Sequence, residues 1–192
     1  MKYIGLDISS TTIGLSLINL DENNKVSLLK YDYYKPIKDD LFLSLHKTRE
    51  YIINKIKEWE PDEAVIENNL MFIGNKSSAN TIILLAIYNK TCGLACYETL
   101  GKDPHLFNMQ TARSLIKLKG YEGKLQKEDI PATVEKILGI PFPYVFKKNG
   151  KIADETFDIA DSVAITLGYI SSEILKSQPK VSKRKYLTKV EK

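Results

Sequence analysis

The sequence predicts an α/β domain on a mixed five-stranded sheet, three antiparallel strands followed by two parallel ones, with helices on both faces. Three observations predict it. Three strand patterns open the chain, separated only by short turns. Helix and strand patterns then alternate, which implies crossovers between parallel strands. Two of the short apolar strands, Lys2 to Leu6 and Glu63 to Glu67, deliver a carboxylate at their ends, Asp7 and Glu67.

The elements follow in order. Ile4, Leu6 and Ile8 share one face of the first strand and Tyr3 and Gly5 the other, as in a strand buried on both sides. The small hydroxyl run Ser9 to Thr12 turns the chain into a second strand, Ile13 to Leu20, antiparallel to the first. Asp21 to Asn24 turn it again into Val26 to Tyr34. A helix follows Asp39–Asp40, with Leu41, Leu45, Thr48, Ile52, Ile56 and Trp59 as its apolar stripe. It must end near Glu60, because Pro61 disfavours a helical residue before it.

Gly74 to Ser78 reads as a loop, and Thr81 to Leu100 as a long apolar helix closed by Gly101. His105 to Asn108 is a short fifth strand. Asn108 then caps a helix expected to reach Lys119 and stop at Gly120. A basic loop, Gly120 to Lys127, leads to a helix over roughly Glu128 to Leu138. Pro141, Pro143 and Gly150 mark a connector. The last helix starts near Asp154 and carries Ile159, Val163, Leu167, Ile170 and Ile174 on one stripe.

At 192 residues, 43% hydrophobic and 27% charged, the chain fits one globular domain. Its longest apolar run, Ile82 to Tyr88, is too short to span a bilayer, so no membrane role is expected. Cys92 and Cys96 lie four apart on one helical face, where an unstrained disulfide is not expected. With only His46 and His105 besides, no zinc site can be assembled, and a reducing, cytoplasmic setting is expected. Charge is uneven. From Lys176 to Lys192 seven basic residues face one acid, a net +6, while the first 175 residues carry −2. The division expected is a domain over 1–177 and a basic tail over 178–192, suited to a polyanion or to solubility alone.

Four acids carry the chemistry. Asp7 and Glu67 end strands expected to be parallel neighbours. Asp7 by itself could equally serve the amides of its own turn. Asp158 and Asp161, three apart, project from one face in the first turns of the last helix, as partners of a cation or as a capping cluster with Asp154 and Glu155. Four converging carboxylates cannot stay ionised without compensation, and an all-oxygen set suits magnesium or manganese.

The segments GLDISSTTIG, AVIENN, TARSLIKLKGYEGKLQKEDI and FDIADSVAIT resemble, in order and spacing, the RuvC-type Holliday junction resolvases of the retroviral-integrase and ribonuclease H superfamily. The resemblance runs from Met1 to about Ser177 and is nearer the bacteriophage members than the bacterial ones. It implies a ribonuclease H-like fold and a crossover junction endodeoxyribonuclease acting as a homodimer on branched DNA, in the host cytoplasm if phage-encoded. Asp7, Glu67, Asp158 and Asp161 would bind two magnesium ions, with manganese a possible substitute. Arg113 and Lys124 fall where the family places cations facing the scissile phosphate, and Lys117, Lys119 and Lys127 could add backbone contacts. Bacterial members carry an aromatic shortly after the strand-ending Glu. Leu70 stands there here, and Phe72, two residues on, is the expected substitute. The helix from Thr81 to Leu100 is a natural dimer face. No protein partner is indicated.

Two other readings carry less. A ribonuclease acting on RNA or RNA–DNA hybrid would use the same acids. Asp7 and the hydroxyls after it also resemble the first phosphate turn of actin and sugar-kinase-type proteins, but 192 residues with 10 glycines do not supply two such lobes.

Overall fold

A computed structural model describes residues 1–38, 40–68, 78–117 and 125–177. Its elements run β1 (Lys2–Ile8), β2 (Ile13–Leu20), β3 (Val26–Tyr34), α1 (Leu41–Trp59), β4 (Glu63–Glu67), α2 (Ala79–Leu100), β5 (His105–Phe107), α3 (Met109–Leu115), a 3-10 turn (Lys127–Asp129), α4 (Ile130–Leu138) and α5 (Asp154–Ser177). The sheet order is β3-β2-β1-β4-β5. The first three strands pair antiparallel, whereas β1–β4 and β4–β5 pair parallel, as the sequence predicts.

Alternation along the strands sorts two cores. Ile4, Leu6, Ile8, Ala64 and Ile66 face α1 and α2 and pack with Ile52, Ile56, Trp59, Cys92 and Cys96. Tyr3, Ile18 and Val65 face the opposite way, against α3, α4 and α5. By the same two-residue period Asp7 and Glu67 belong to the α5 face. Cys92 and Cys96 are free thiols, and burial pushes the Cys96 thiol up to about 12. Among the described residues, no helix is long and apolar enough to cross a membrane.

Some boundaries differ from expectation. α1 is capped by Asp40, and its buried stripe uses Ser44 ahead of Leu41 and Leu45, which are not fully buried. Ser44 is drawn inward because its hydroxyl donates to the Ile37 carbonyl and hydrogen-bonds the Tyr88 hydroxyl. α2 starts at Ala79 because Ser78 takes the Thr81 amide as its cap. α3 does not run to Lys119. It ends at Leu115, where Ile116 turns into the core and closes the last turn onto Ala112. α4 starts at Ile130 with Pro131 in its first turn, not at Glu128, and the preceding residues form the 3-10 turn. The connector before α5 contains a small hairpin closed by a bridge between Phe146 and Ile152.

Candidate active site

The parallel register pairs Leu6 with Ile66, so the next residues, Asp7 and Glu67, leave adjacent strand ends on the same face. The turn after Asp7 is held by Ser9. Its hydroxyl accepts from the Thr11 and Thr12 amides at 3.2 and 2.9 Å and donates to the Thr12 carbonyl at 2.7 Å. Ser9 therefore does the turn-building that Asp7 could have done, which leaves the Asp7 carboxyl to face that of Glu67. The end of β4 is fixed from α2, where buried Asn89 donates to the Glu67 carbonyl at 2.9 Å.

Two close approaches bring the helices in. Gly14 lies directly opposite Asp7 in the β1–β2 register. A Cβ there would stand 2.0 Å from the Asp158 carbonyl oxygen, so only glycine lets α5 settle this close to the sheet. Likewise, a Cβ on Gly168 would stand 2.5 Å from the Ala112 Cα. That contact seats α3 against α5 and delivers the next residue, Arg113, to the site.

Arg113 Nη2 donates to both carboxylate oxygens of Asp161, at 3.0 and 3.2 Å. Lys127 Nζ donates to Asp158 Oδ1 at 2.8 Å and stands 3.7 Å from Asp161 Oδ2. The other two acids at the start of α5 are matched in the same way. Lys147 Nζ meets Asp154 at 3.1 Å, and Lys35 pairs with Glu155. Each of these four acids in the first turns of the helix thus meets a cation from a different part of the chain.

The electrostatics are those of crowded acids. Burial, then the charges of Asp161 and Glu67, hold the Asp7 carboxyl well above the usual carboxylate range. Burial also raises Glu67 and Asp161, the latter against the pull of Arg113 and Lys127. Burial works against the Lys127 ammonium, but Asp158, Asp7 and Asp161 outweigh it and raise its pKa. Asp7, Glu67, Asp158, Asp161, Arg113 and Lys127 all line one cleft of about 720 Å³.

The donor set is four carboxylates and no sulfur or imidazole, which fits a hard divalent cation. Among the described residues, no three acids stand close enough to hold a metal ion as they are placed. Arg113 and Lys127 supply the positive charge among them.

The sequence-predicted residues divide plainly. The four acids and Arg113 converge. Lys127, expected to add contacts to the DNA backbone, reaches into the acids. Lys117 is not among the described residues lining the cleft. Phe72, Lys119, Lys124 and the basic tail lie outside the described residues. The sequence reading missed Lys35 and Lys38, which line the far wall with Pro36. Their position directly after β3, the strand alongside β2, was the available signal. His105 is a packing residue, bonded to Glu63 and stacked on Tyr169.

A mixed five-stranded sheet with this order, and acids at its β1 and β4 ends meeting a C-terminal helix, is a ribonuclease H-like fold. Among solved structures it is similar to Thermus thermophilus RuvC in complex with Holliday junction substrate, with a TM-score of 0.68 at 15% identity, covering 91% of this chain and 96% of that one. It is also similar to the yeast mitochondrial Holliday junction resolvase Ydc2 (TM-score 0.63, 13% identity, 90% and 78% covered). The fowlpox virus resolvase with its substrate Holliday junction DNA follows at a TM-score of 0.51 and 17% identity, with 91% and 99% covered. At these identities the likeness is one of fold. No family model matches the sequence, and no curated protein matches it.

Proposed function

We propose that this chain is a metal-dependent, structure-selective endonuclease that resolves four-way and other branched DNA junctions by paired nicking. One observation carries the reading. Asp7, Glu67, Asp158 and Asp161 converge with Arg113 and Lys127 in one cleft, in a fold shared with structures of Holliday junction resolvases.

Asp7, Glu67, Asp158 and Asp161 would hold the divalent cations, magnesium or manganese. Two such ions would supply an activated water and charge neutralisation at the leaving oxygen of a phosphodiester. The chain's own residues do the rest. Gly14 and Gly168 set the spacing of the acids and of Arg113. Arg113 orients Asp161 through one nitrogen, Nη2, shared between both carboxylate oxygens. Lys127, whose side chain is 44% exposed, presents its ammonium to the cleft, where a phosphate would meet it.

Symmetric nicking needs two copies of the site, and α2 offers a face for pairing. Ile83, Leu94 and Tyr97 are each more than half exposed on this helix. We assign this face to a two-fold homodimer.

The test is cleavage of a synthetic four-way junction, a Y-junction, plain duplex and RNA–DNA hybrid, with and without magnesium. Paired nicks near the branch, lost without metal and lost in Asp7→Asn while binding persists, are expected. Cleavage of the hybrid alone would move the protein to a ribonuclease. Tight binding without nicking under either metal would remove the catalytic claim.

A further inference from the structure

The segment between α4 and α5 has no part in the acid cluster, yet it is built with some care. Residues 144–153 form a short hairpin. The Ala153 amide donates to the Val145 carbonyl at 2.8 Å, and the Lys147 amide to the Lys151 carbonyl at 2.8 Å. The Gly150 amide closes the turn onto Lys147 at 2.9 Å, with Gly150 at φ 78°. Its base is tied to α5 by Thr156, a fully buried residue whose hydroxyl accepts from the Val145 amide and donates to the Val145 carbonyl. The base of the hairpin is therefore tied to the helix that carries Asp158.

The tip carries a chemistry that the fold does not need. Phe146 and Ile152 are cross-strand partners, so they share one face of the hairpin. Phe146 is 62% exposed, and its one aromatic neighbour among the described residues is Tyr144, at 6.3 Å between centroids. Lys147, Lys148 and Lys151 surround it, all exposed. Lys147 is paired with Asp154. Among the described residues, Lys148 and Lys151 have no acidic partner. Asp154 itself lines the cleft, so the hairpin borders the candidate active site. An exposed aromatic ring on a hydrogen-bonded hairpin, beside two lysines without an acidic partner and next to a nuclease cleft, has the features of a base-stacking platform with phosphate contacts.

We infer that this hairpin is a second nucleic-acid contact of the protein, in which Phe146 stacks on an unpaired base at the branch point and Lys148 and Lys151 hold phosphates of the strand leaving the cleft. The inference rests on the nuclease reading above. It supplies that reading with a branch-sensing element on the α5 side of the cleft, independent of the loop that follows β4.

The experiment is equilibrium binding of the full chain, without metal, to a four-way junction carrying 2-aminopurine at the branch and to plain duplex of equal length. Phe146→Ala should weaken junction binding on the order of ten-fold and remove the 2-aminopurine quenching, with duplex binding unchanged. Phe146→Trp should restore both. Lys148→Glu with Lys151→Glu should flatten the salt dependence of junction binding by about 0.7 to 0.9 in log–log slope per lysine. Phe146→Ala binding the junction as wild type does, at an unchanged thermal midpoint, would overturn the hairpin assignment while leaving the nuclease reading intact. Absence of junction binding by the wild-type chain would overturn both. An equal loss on junction and duplex from Phe146→Ala would overturn branch stacking, because a base paired in duplex offers no free face.

Discussion

Lys127 and Asp158 form the direct ion pair at the mouth of the acid cluster, with 2.8 Å between Nζ and Oδ1. Lys127 is thus an internal counter-ion, occupying by charge the place that a divalent cation would take. Lys127→Met should lower the metal-free thermal midpoint by a few degrees. The exposed lysine limits the loss to on the order of 1 kcal/mol. The same variant should bind magnesium more tightly by calorimetry, since the metal no longer displaces an ammonium. Cleavage should fall about a hundred-fold or more through loss of charge on the phosphate. Unchanged metal affinity would show that Lys127 and the metal do not compete.

Asp7 gives a pH signature. Its folded-state pKa lies above the unfolded value, because burial and then Asp161 and Glu67 disfavour its charge. The stabilisation of its protonated form is complete below the unfolded pKa and is lost as pH rises through the folded one. Metal-free protein should therefore melt at a higher temperature near pH 5 than near pH 8. Asp7→Asn should raise the midpoint near pH 8 by on the order of 5 °C and flatten the profile, while abolishing cleavage. A steeper profile in the variant would refute this account.

Gly14 tests how α5 is seated. Alanine there pushes its Cβ into the Asp158 carbonyl, and the contact is backbone on both sides. The expected cost is about 1 to 3 kcal/mol, with cleavage reduced further than the stability loss accounts for. Denaturant melts alongside cleavage at a temperature where the variant remains folded separate the two effects.

Leu94→Glu on the open face of α2 should convert a dimer to a monomer, read by light scattering on a sizing column. Leu94 is 51% exposed in the single chain, so the fold should survive. A variant as dimeric as wild type would move the interface elsewhere.

Much of the architecture was legible. The short apolar runs of β1 and β4 identified the buried strands, and their terminal carboxylates marked where the site would lie. The three-residue step from Asp158 to Asp161 placed both acids on one side of α5. Lys127 was legible as a basic residue but not by its partner. Which acid it meets depends on where the 3-10 turn Lys127–Asp129 sits against α5, a tertiary matter that helix periodicity does not register. The pairing of Lys35 with Glu155 depends on β3 lying beside the start of α5, a tertiary matter again. The hairpin over residues 144–153 was hidden by Pro141, Pro143 and Gly150, which read as a connector. Its strands are too short for any periodic signal, and Thr156 supplies the tie that the pattern lacks.

The dependence of the site on α5 has a consequence for synthesis. Asp7 leaves the ribosome early, but the helix whose backbone rests on Gly14 leaves it last among the described elements. Until then the face of the sheet that α5 packs on is incompletely covered, and the carboxylates at positions 7 and 67 lack the other two acids of the cluster. A nascent chain therefore carries no assembled acid cluster. The cluster is completed in one late step, when α5 docks, brings Asp158 and Asp161, and lets Arg113 and Lys127 close around them.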